Sequence, residues 1–391
     1  HIMSVWGKLA FRYEGKENQI HKILALDGGG IRGILTLEVL ARMEEMLAEA
    51  TGGGSGFRLC HFFDYVGGTS TGAIIAAGLA RGMSAKELLE FYEVTGPAMF
   101  DKQFILKRWN ALYKSKPLKK ELQKTFGPET TLKPDDLECL LLAVTRNRTT
   151  DSPWPISSNP QAKYNDLSRP DCNLNIPLWK IVRASTAAPV FFPPEVIWWD
   201  PNDDSKAFVF VDGGLTPYNN PAFLLYRMAT ESGYRLNWAC GEDKLLVISL
   251  GTGAAAVLAE DADDPNRGLL GNVAALPSAL MYAAMVDQDT NCRSIGRCVH
   301  GAPLDREIGD MVPRDDDGKV IPLSQDLGRR FLYARYNADL SPEGLEEIGL
   351  SNIKPEHVQK LDSIEFIDDL RKVGRKVAEE IKIDHFGNFI S

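Results

Sequence analysis

Gly68-Thr69-Ser70-Thr71-Gly72 sets a serine between two glycines in the pattern Gly-x-Ser-x-Gly. Apolar Tyr65 and Val66 precede it and the small-residue run from Ala73 to Ala80 follows, so the segment reads as strand, sharp turn and helix. In that setting the serine backbone is strained, small neighbours leave it room, and Oγ projects at a helix N-terminus whose dipole favours an alkoxide. The chemistry implied is nucleophilic attack on a carbonyl carbon. A glycine turn without chemistry has the same pentapeptide, so its company in the chain decides.

A serine is a poor nucleophile until a base takes its proton. Of the six histidines, only His300, in Cys298-Val299-His300-Gly301, follows the acidic candidates in the order an α/β-hydrolase triad requires, and nothing around it marks a catalytic loop. Asp212 is the stronger base. It ends the apolar run Phe208 to Val211, and Gly213 and Gly214 after it let the backbone turn away. A carboxylate acts alone when it bonds Oγ directly and its pKa rises as substrate excludes water. A turn-capping aspartate is the competing reading.

Leu24 to Gly33, LALDGGGIRG, is a second glycine turn after an apolar run. Its amides suit an anion, which is either a phosphate or the negative oxygen of a tetrahedral intermediate. Gly28, Gly30 and Gly33 fit Gly-x-Gly-x-x-Gly, but a dinucleotide site also wants an acid about 20 residues on. The corresponding stretch, Thr51 to Arg58, has none. If the two turns follow adjacent parallel strands, the amides of Gly28, Gly29 and Gly30 face Ser70 as an oxyanion hole. That assignment is favoured, with a nucleotide-binding α/β protein as its rival.

The elements that must position these residues follow from periodicity. Lys22 to Leu26 is a strand, and Ile31, Leu35, Val39, Met43 and Leu47 recur at helical spacing. Ser84 and Glu87 form a capping box for a helix through Val94, and Asp136 to Thr145 reads as a buried strand. Ala207 to Gly214 and Leu245 to Gly253 are strands that end in glycine. Alternating β and α predicts an α/β fold, a three-layer α/β/α arrangement with a mostly parallel central sheet. Arg146 to Pro170 is expected as a long loop, either a lid or a surface excursion. Val273 to Val286 is too short to span a membrane and contains Pro277, so it is expected as a buried helix. Pro355 to Lys382 carries apolar residues at helical spacing.

The bulk numbers exclude several classes. With 44% hydrophobic and 25% charged residues over 391 positions, the chain is neither disordered nor fibrous and can bury one large core. A net charge of −9 argues against nucleic acid as partner. Lys102 to Lys124 departs from that balance, with eight cations and interleaved Phe104, Trp109 and Tyr113; it is a solvated face or a surface for anionic headgroups. Six scattered cysteines without a Cys-x-x-Cys pair point to a reducing, cytoplasmic compartment. Cys292, Cys298 and His300 match no zinc spacing, so no metal is expected. His1 and Ile2 ahead of Met3 read as an appended remnant, and no secretory leader is expected.

Asp27-Gly-Gly-Gly-Ile-Arg-Gly33, then Gly68-Thr-Ser-Thr-Gly72, then Asp212-Gly-Gly214, in that order, resemble the patatin-like phospholipases. Arg183 to Pro194 and Phe331 to Leu340 are also similar to blocks of that family, the latter to the plant patatins. The resemblance covers about Lys22 to Lys382. It implies a bacterial member with an N-terminal extension (1–20) and a single catalytic domain (21–390) that includes a helical C-terminal region (about 304–390). It further implies a phospholipase A or lysophospholipase-type acyl hydrolase with a Ser70–Asp212 dyad, an acyl-enzyme on Ser70, and neither histidine, calcium nor another cofactor. The substrate implied is phospholipid at a membrane surface, reached from the cytoplasm. Arg32 matches the motif's basic position, where it steadies the loop or meets substrate charge. Some bacterial relatives are anti-phage effectors switched on by cyclic nucleotides, and only the basic and long-loop segments hint at such an activator here. Gly214 stands where many relatives have alanine, and Arg146 to Pro170 looks individual. A His-dependent hydrolase and a catalytically idle binding scaffold remain the alternatives.

Overall fold

The computed structural model describes residues 3–100, 116–147, 149–150, 152–185, 195–198, 207–212, 216–254 and 269–391, with backbone alone for 116–117, 195–198, 207–212 and 269–278. The described strands are β1 (His21–Leu26), β2 (Tyr65–Thr69), β3 (Leu140–Asn147), β4 (Ser152–Ser157), β5 (Glu195–Trp198), β6 (Ala207–Asp212), β7 (Leu245–Leu250), β8 (Arg297–His300) and β9 (Leu332–Tyr336). The described helices are α1 (Ala10–Tyr13), α2 (Gly33–Thr51), α3 (Leu59–Phe62), α4 (Thr71–Ala80), α5 (Ala85–Phe100), α6 (Lys116–Phe126), α7 (Leu178–Ser185), α8 (Ala222–Thr230), α9 (Leu269–Ile295), α10 (Pro342–Glu347), α11 (Pro355–Gln359) and α12 (Ile367–Ala378).

All nine strands form one sheet in the order β5-β6-β3-β2-β1-β7-β9-β8, with β4 also on β3. The block from β3 to β8 is parallel throughout. Its central strands are apolar on both faces, as a sheet covered twice requires. Alternation sorts their side chains into two cores. Leu24, Leu26, Val66, Leu141, Ile248 and Ala334 face α2, α4, α5, α7 and α12. Ile23, Ala25, Tyr65, Leu142, Val247 and Tyr333 face α1, α8 and the end of α9. Each such leucine or isoleucine contributes about 1.5–3 kcal/mol by leaving water. The expected three-layer α/β/α architecture with a mostly parallel sheet is present.

Several local expectations need correction. Arg146 to Pro170 is not a loop throughout: β3 runs on through Asn147, and β4 returns antiparallel along it, pairing Asn147 with Ser152 and Leu142 with Ser157. The described end of the Val273–Val286 stretch is helical but largely exposed, since Leu280 is 66% and Tyr282 36% exposed and of its side chains only Met285 is buried. The C-terminal apolar periodicity is split into α11 and α12 by a turn at 360–366, and α12 packs on α2. The region expected to be helical from about 304 also supplies an interior strand, β9. Residues ahead of β1 join the core through buried Trp6, Leu9 and Tyr13, and Arg12 donates to Asp64 and to the carbonyls of Cys60 and Phe63. Most of Lys102 to Lys124 lies outside the described residues. No described helix is long and apolar enough to cross a membrane.

At the edge where β1 begins, the His21 ring stacks on Trp238 with centroids 4.0 Å apart. Burial pushes its pKa down to about 4, and His385, half-buried beside His300, is likewise lowered to about 4. The unfolded chain binds these protons near pH 6.5, the folded chain only near pH 4, so their contribution to stability is complete above pH 6.5 and declines as pH falls through that window. Urea midpoints measured from pH 7 to pH 4 should fall, and a His21→Phe protein, which keeps the stack, should show a shallower decline than wild type over the same range.

Candidate active site

Ser70 stands between β2 and α4 with φ 55° and ψ −124°, a backbone conformation that L-residues rarely adopt. Two approaches force it there. A Cβ on Gly72 would lie 2.2 Å from the Leu26 carbonyl oxygen, so only glycine lets α4 start against the end of β1. The first turn of α4 is held by Ala73 and Ile74 amides donating to Ser70 O, and by Thr71, whose Oγ1 pairs with the Tyr92 hydroxyl. The outcome is the strand-turn-helix geometry expected for a nucleophile, with Ser70 only 5% exposed.

The Gly28–Gly30 loop lies beside this turn because β1 and β2 are parallel neighbours, Leu26 facing Gly68. Residue 28 is therefore level with residue 70, and a Cβ on Gly28 would fall 3.3 Å from Ser70 Cβ. Four hydrogen bonds fix the loop. Asp27 N–H donates to Leu250 O (3.0 Å), Gly28 N–H to Asn219 O (2.9 Å), Ile31 N–H to Leu361 O (2.9 Å), and the Thr252 hydroxyl to Gly28 O (2.8 Å). The Gly28 amide is thus engaged by Asn219 and leaves the expected oxyanion set. The amides of Gly29 and Gly30 have no acceptor among the described residues. Gly30 has φ 59°, and a side chain there would strike Leu361 O, so this residue too must be glycine. Gly33 packs against Thr71, joining the start of α2 to the serine turn.

Asp212 reaches the same place by an unexpected route. β6 runs antiparallel to β3, not parallel as its glycine ending suggested, and pairs only with the last residues of β3, Thr145 with Asp212 and Asn147 with Phe210. Residues 142–147 of β3 also pair with β4. Since β4 occupies one edge of β3, β2 and β6 share the other. Thr69 faces Val144 and Asp212 faces Thr145, so the two strands meet head-on at successive positions, about 3.4 Å apart along β3. Residue 212 sits where residue 70 would have paired had β2 continued. Gly213 and Gly214 lie outside the described residues. Beyond them, Tyr218 O accepts from the Thr69 hydroxyl (2.5 Å) and Asn219 O from Gly28, closing that segment over the ends of β2 and β1.

Two arginines adjoin the glycine loop. Arg32 is partly buried, its Nε 3.4 Å from Gly29 O, and burial lowers its guanidinium to about 10 against the opposing charge of Asp27. Arg335, on β9, is buried and grips the Asp27 carboxylate at 3.0 and 2.6 Å. Burial alone would lower Arg335, but the charge of Asp27 and its hydrogen bonds, with Asp289 beyond, raise it above its ordinary value. Arg335, Asp289, Thr252 and Asn219 are site residues that sequence patterns did not single out. A lone arginine inside the apolar run Leu332 to Tyr336 was the one visible signal.

The histidine alternative does not assemble. His300 is on β8, the far edge of the sheet and four strand spacings, about 19 Å, from β2. There it pairs with Glu380 (3.0 Å) and stacks on Tyr336 and His385. His357 stacks on Phe366, with Asp369 3.7 Å from its Nδ1, and His61 accepts from the Arg58 amide. Among the described residues no histidine bonds Ser70.

A family model described as patatin-like phospholipase matches residues 24–226, just over half of the chain. A cGAMP-activated phospholipase of Vibrio cholerae is 34% identical over 223 residues, 54% of this chain and 58% of that protein. An intracellular phospholipase A2 of Caenorhabditis elegans is 30% identical over 210 residues, 53% of this chain and 17% of that protein. Patatin-17 of Solanum cardiophyllum is 29% identical over 250 residues, 60% of this chain and 61% of that protein. The chain spans less than two thirds of the length of each of these relatives. The matched segment carries the serine turn and the aspartate strand that meet along β3, together with the glycine loop at the end of the neighbouring β1, and the chain belongs to the patatin-like phospholipase family.

Proposed function

We propose that the protein is a lipid acyl hydrolase in which Ser70 and Asp212 form the catalytic dyad. The observation that carries this is the head-on meeting of β2 and β6 on one edge of β3, with a glycine loop that adjoins Ser70 at Gly28 and whose Gly29 and Gly30 amides have no acceptor among the described residues. In the proposed cycle Asp212 takes the Ser70 proton as Oγ attacks the ester carbonyl. The two amides receive the charge that develops on the carbonyl oxygen, an interaction in which one donor is commonly worth 10²–10³ in rate. Asp212 then returns the proton to the departing alcohol, and a water activated by the same carboxylate releases the acyl group from Ser70. No step uses a metal or cofactor.

The substrate class follows from the relatives. Phospholipases of bacterium and nematode, together with a patatin, favour glycerolipid esters as substrates, and the reading takes them to be cleaved at a membrane surface by one catalytic unit over 21–390. The names of the Vibrio cholerae relative and of an Escherichia coli one also favour activation by a cyclic dinucleotide.

In a p-nitrophenyl ester assay, Ser70→Ala and Asp212→Asn should each lower kcat by about 10³-fold or more, while His300→Ala stays within twofold of wild type. A fluorophosphonate should label Ser70 alone. Persistent hydrolysis by the Ser70→Ala protein rejects the dyad, and fatty acid release from mixed liposomes, with and without cyclic dinucleotides, reports substrate and activator together. The strained Ser70 backbone yields a second expectation. Ser70→Gly relieves a conformation costing about 1–3 kcal/mol, so it should be inactive yet melt a few degrees higher than Ser70→Ala, which keeps a Cβ. Equal melting temperatures would show that the turn stores no strain.

A further inference from the structure

The charged groups beneath the site form one closed set. Arg335 Nη1 and Nη2 donate to the two oxygens of Asp27, and Nη1 also donates to the Ser249 hydroxyl at 2.6 Å. Ser249 Oγ lies 3.5 Å from Asn220 Oδ1, which accepts from the Ala222 amide at the start of α8. On its other side Arg335 Nε is 3.6 Å from Asp289. Asp289 accepts a hydrogen bond from the Tyr333 hydroxyl (2.6 Å) and two from Arg293 (2.9 and 2.8 Å). Arg293 donates further to Ala302 O and Asp310 O. Two carboxylates and two guanidiniums balance, and all four side chains are at most 7% exposed.

Such a set is an inefficient way to stabilise a fold, because stripping water from each ion cancels most of the attraction. What it supplies is geometry. Asp27 is the residue before the oxyanion loop, and Asn220 follows Asn219, whose carbonyl holds Gly28. We infer that Arg335 is a positioning residue for the reaction, resting on the dyad assignment above: its planar fork clamps the oxyanion loop to the segment that follows Asp212, and Asp289 on α9 orients the fork. Lysine cannot substitute, since one ammonium cannot present the parallel N–H pair to Asp27 and also reach Ser249. Displacing donor amides by about 1 Å costs on the order of 10²-fold in rate.

The test compares wild type with Arg335→Lys and with the charge-balanced double variant Asp27→Asn/Arg335→Met, which leaves Asp289 on Arg293. Circular dichroism melts establish folding, steady-state hydrolysis of a p-nitrophenyl ester gives kcat and KM, and the rate of Ser70 labelling by a fluorophosphonate reports the donor amides directly. Folded variants should lose about 10²-fold in kcat for the double variant and about tenfold for Arg335→Lys. KM should hold within twofold, and labelling should slow in parallel with kcat. A folded variant of either kind with wild-type kcat and labelling rate overturns the inference and leaves Arg335 a purely structural ion. Failure of the wild-type protein to label at Ser70 would instead overturn the dyad itself.

Discussion

One edge of β3 is shared by two strands arriving from opposite directions, and the site depends on that competition. β2 occupies the edge through Val144 and β6 from Thr145 onward. β2 cannot continue straight, so the chain turns out of the sheet at residue 70, where the backbone takes a conformation that costs about 1–3 kcal/mol. The same collision brings residue 212 to the turn. A single pairing constraint therefore both strains the serine and delivers its neighbour. The strain persists because Gly72 against Leu26 and Thr71 against Tyr92 hold the turn from both sides.

Holding the loop opposite Ser70 is a different problem, since Gly29 and Gly30 have no side chains with which to fix themselves. Their position is set by neighbours: Asp27 through Arg335, Gly28 through Asn219 and Thr252, and Ile31 through Leu361. These partners come from β9, the segment after β6, the end of β7 and the turn after α11. A loop of glycines is rigid only when the fold around it is complete, so the C-terminal third of the chain belongs to the site although it contributes no group to the chemistry proposed.

The parts legible in the sequence were those written in short range. Ser70 and its flanking glycines, the loop at Gly28 to Gly30, Asp212 at the end of an apolar run, and the alternation of strands and helices all follow from spacing within a dozen residues. The direction of β6 did not follow, because a strand ending in glycine looks the same whichever way it runs. Nor did the loss of Gly28 as a donor, since its acceptor Asn219 lies far along the chain. β9 was visible only as a resemblance, yet its Arg335 bonds a carboxylate 308 positions away. Local patterns report which groups can react, whereas the contacts that aim them are distant pairings.

The inversion along α9 has the same origin. Hydropathy places Val273 to Val286 inside, but in the described part of the helix Leu280 and Tyr282 face solvent, while the polar Gln288, Asp289 and Arg293 that follow the stretch are buried. Burial of apolar residues is a tendency with many exceptions, whereas a buried charge needs a partner. Asp289 has three, Arg293, Tyr333 and Arg335, and together they set how the helix is turned against β8 and β9. Once that end of α9 is committed to the charged set beneath the glycine loop, the rotation of the continuous helix is fixed. Leu280, nine residues and so half a turn round the helix from Asp289, is left on its outer surface as a consequence of where Asp289 must be.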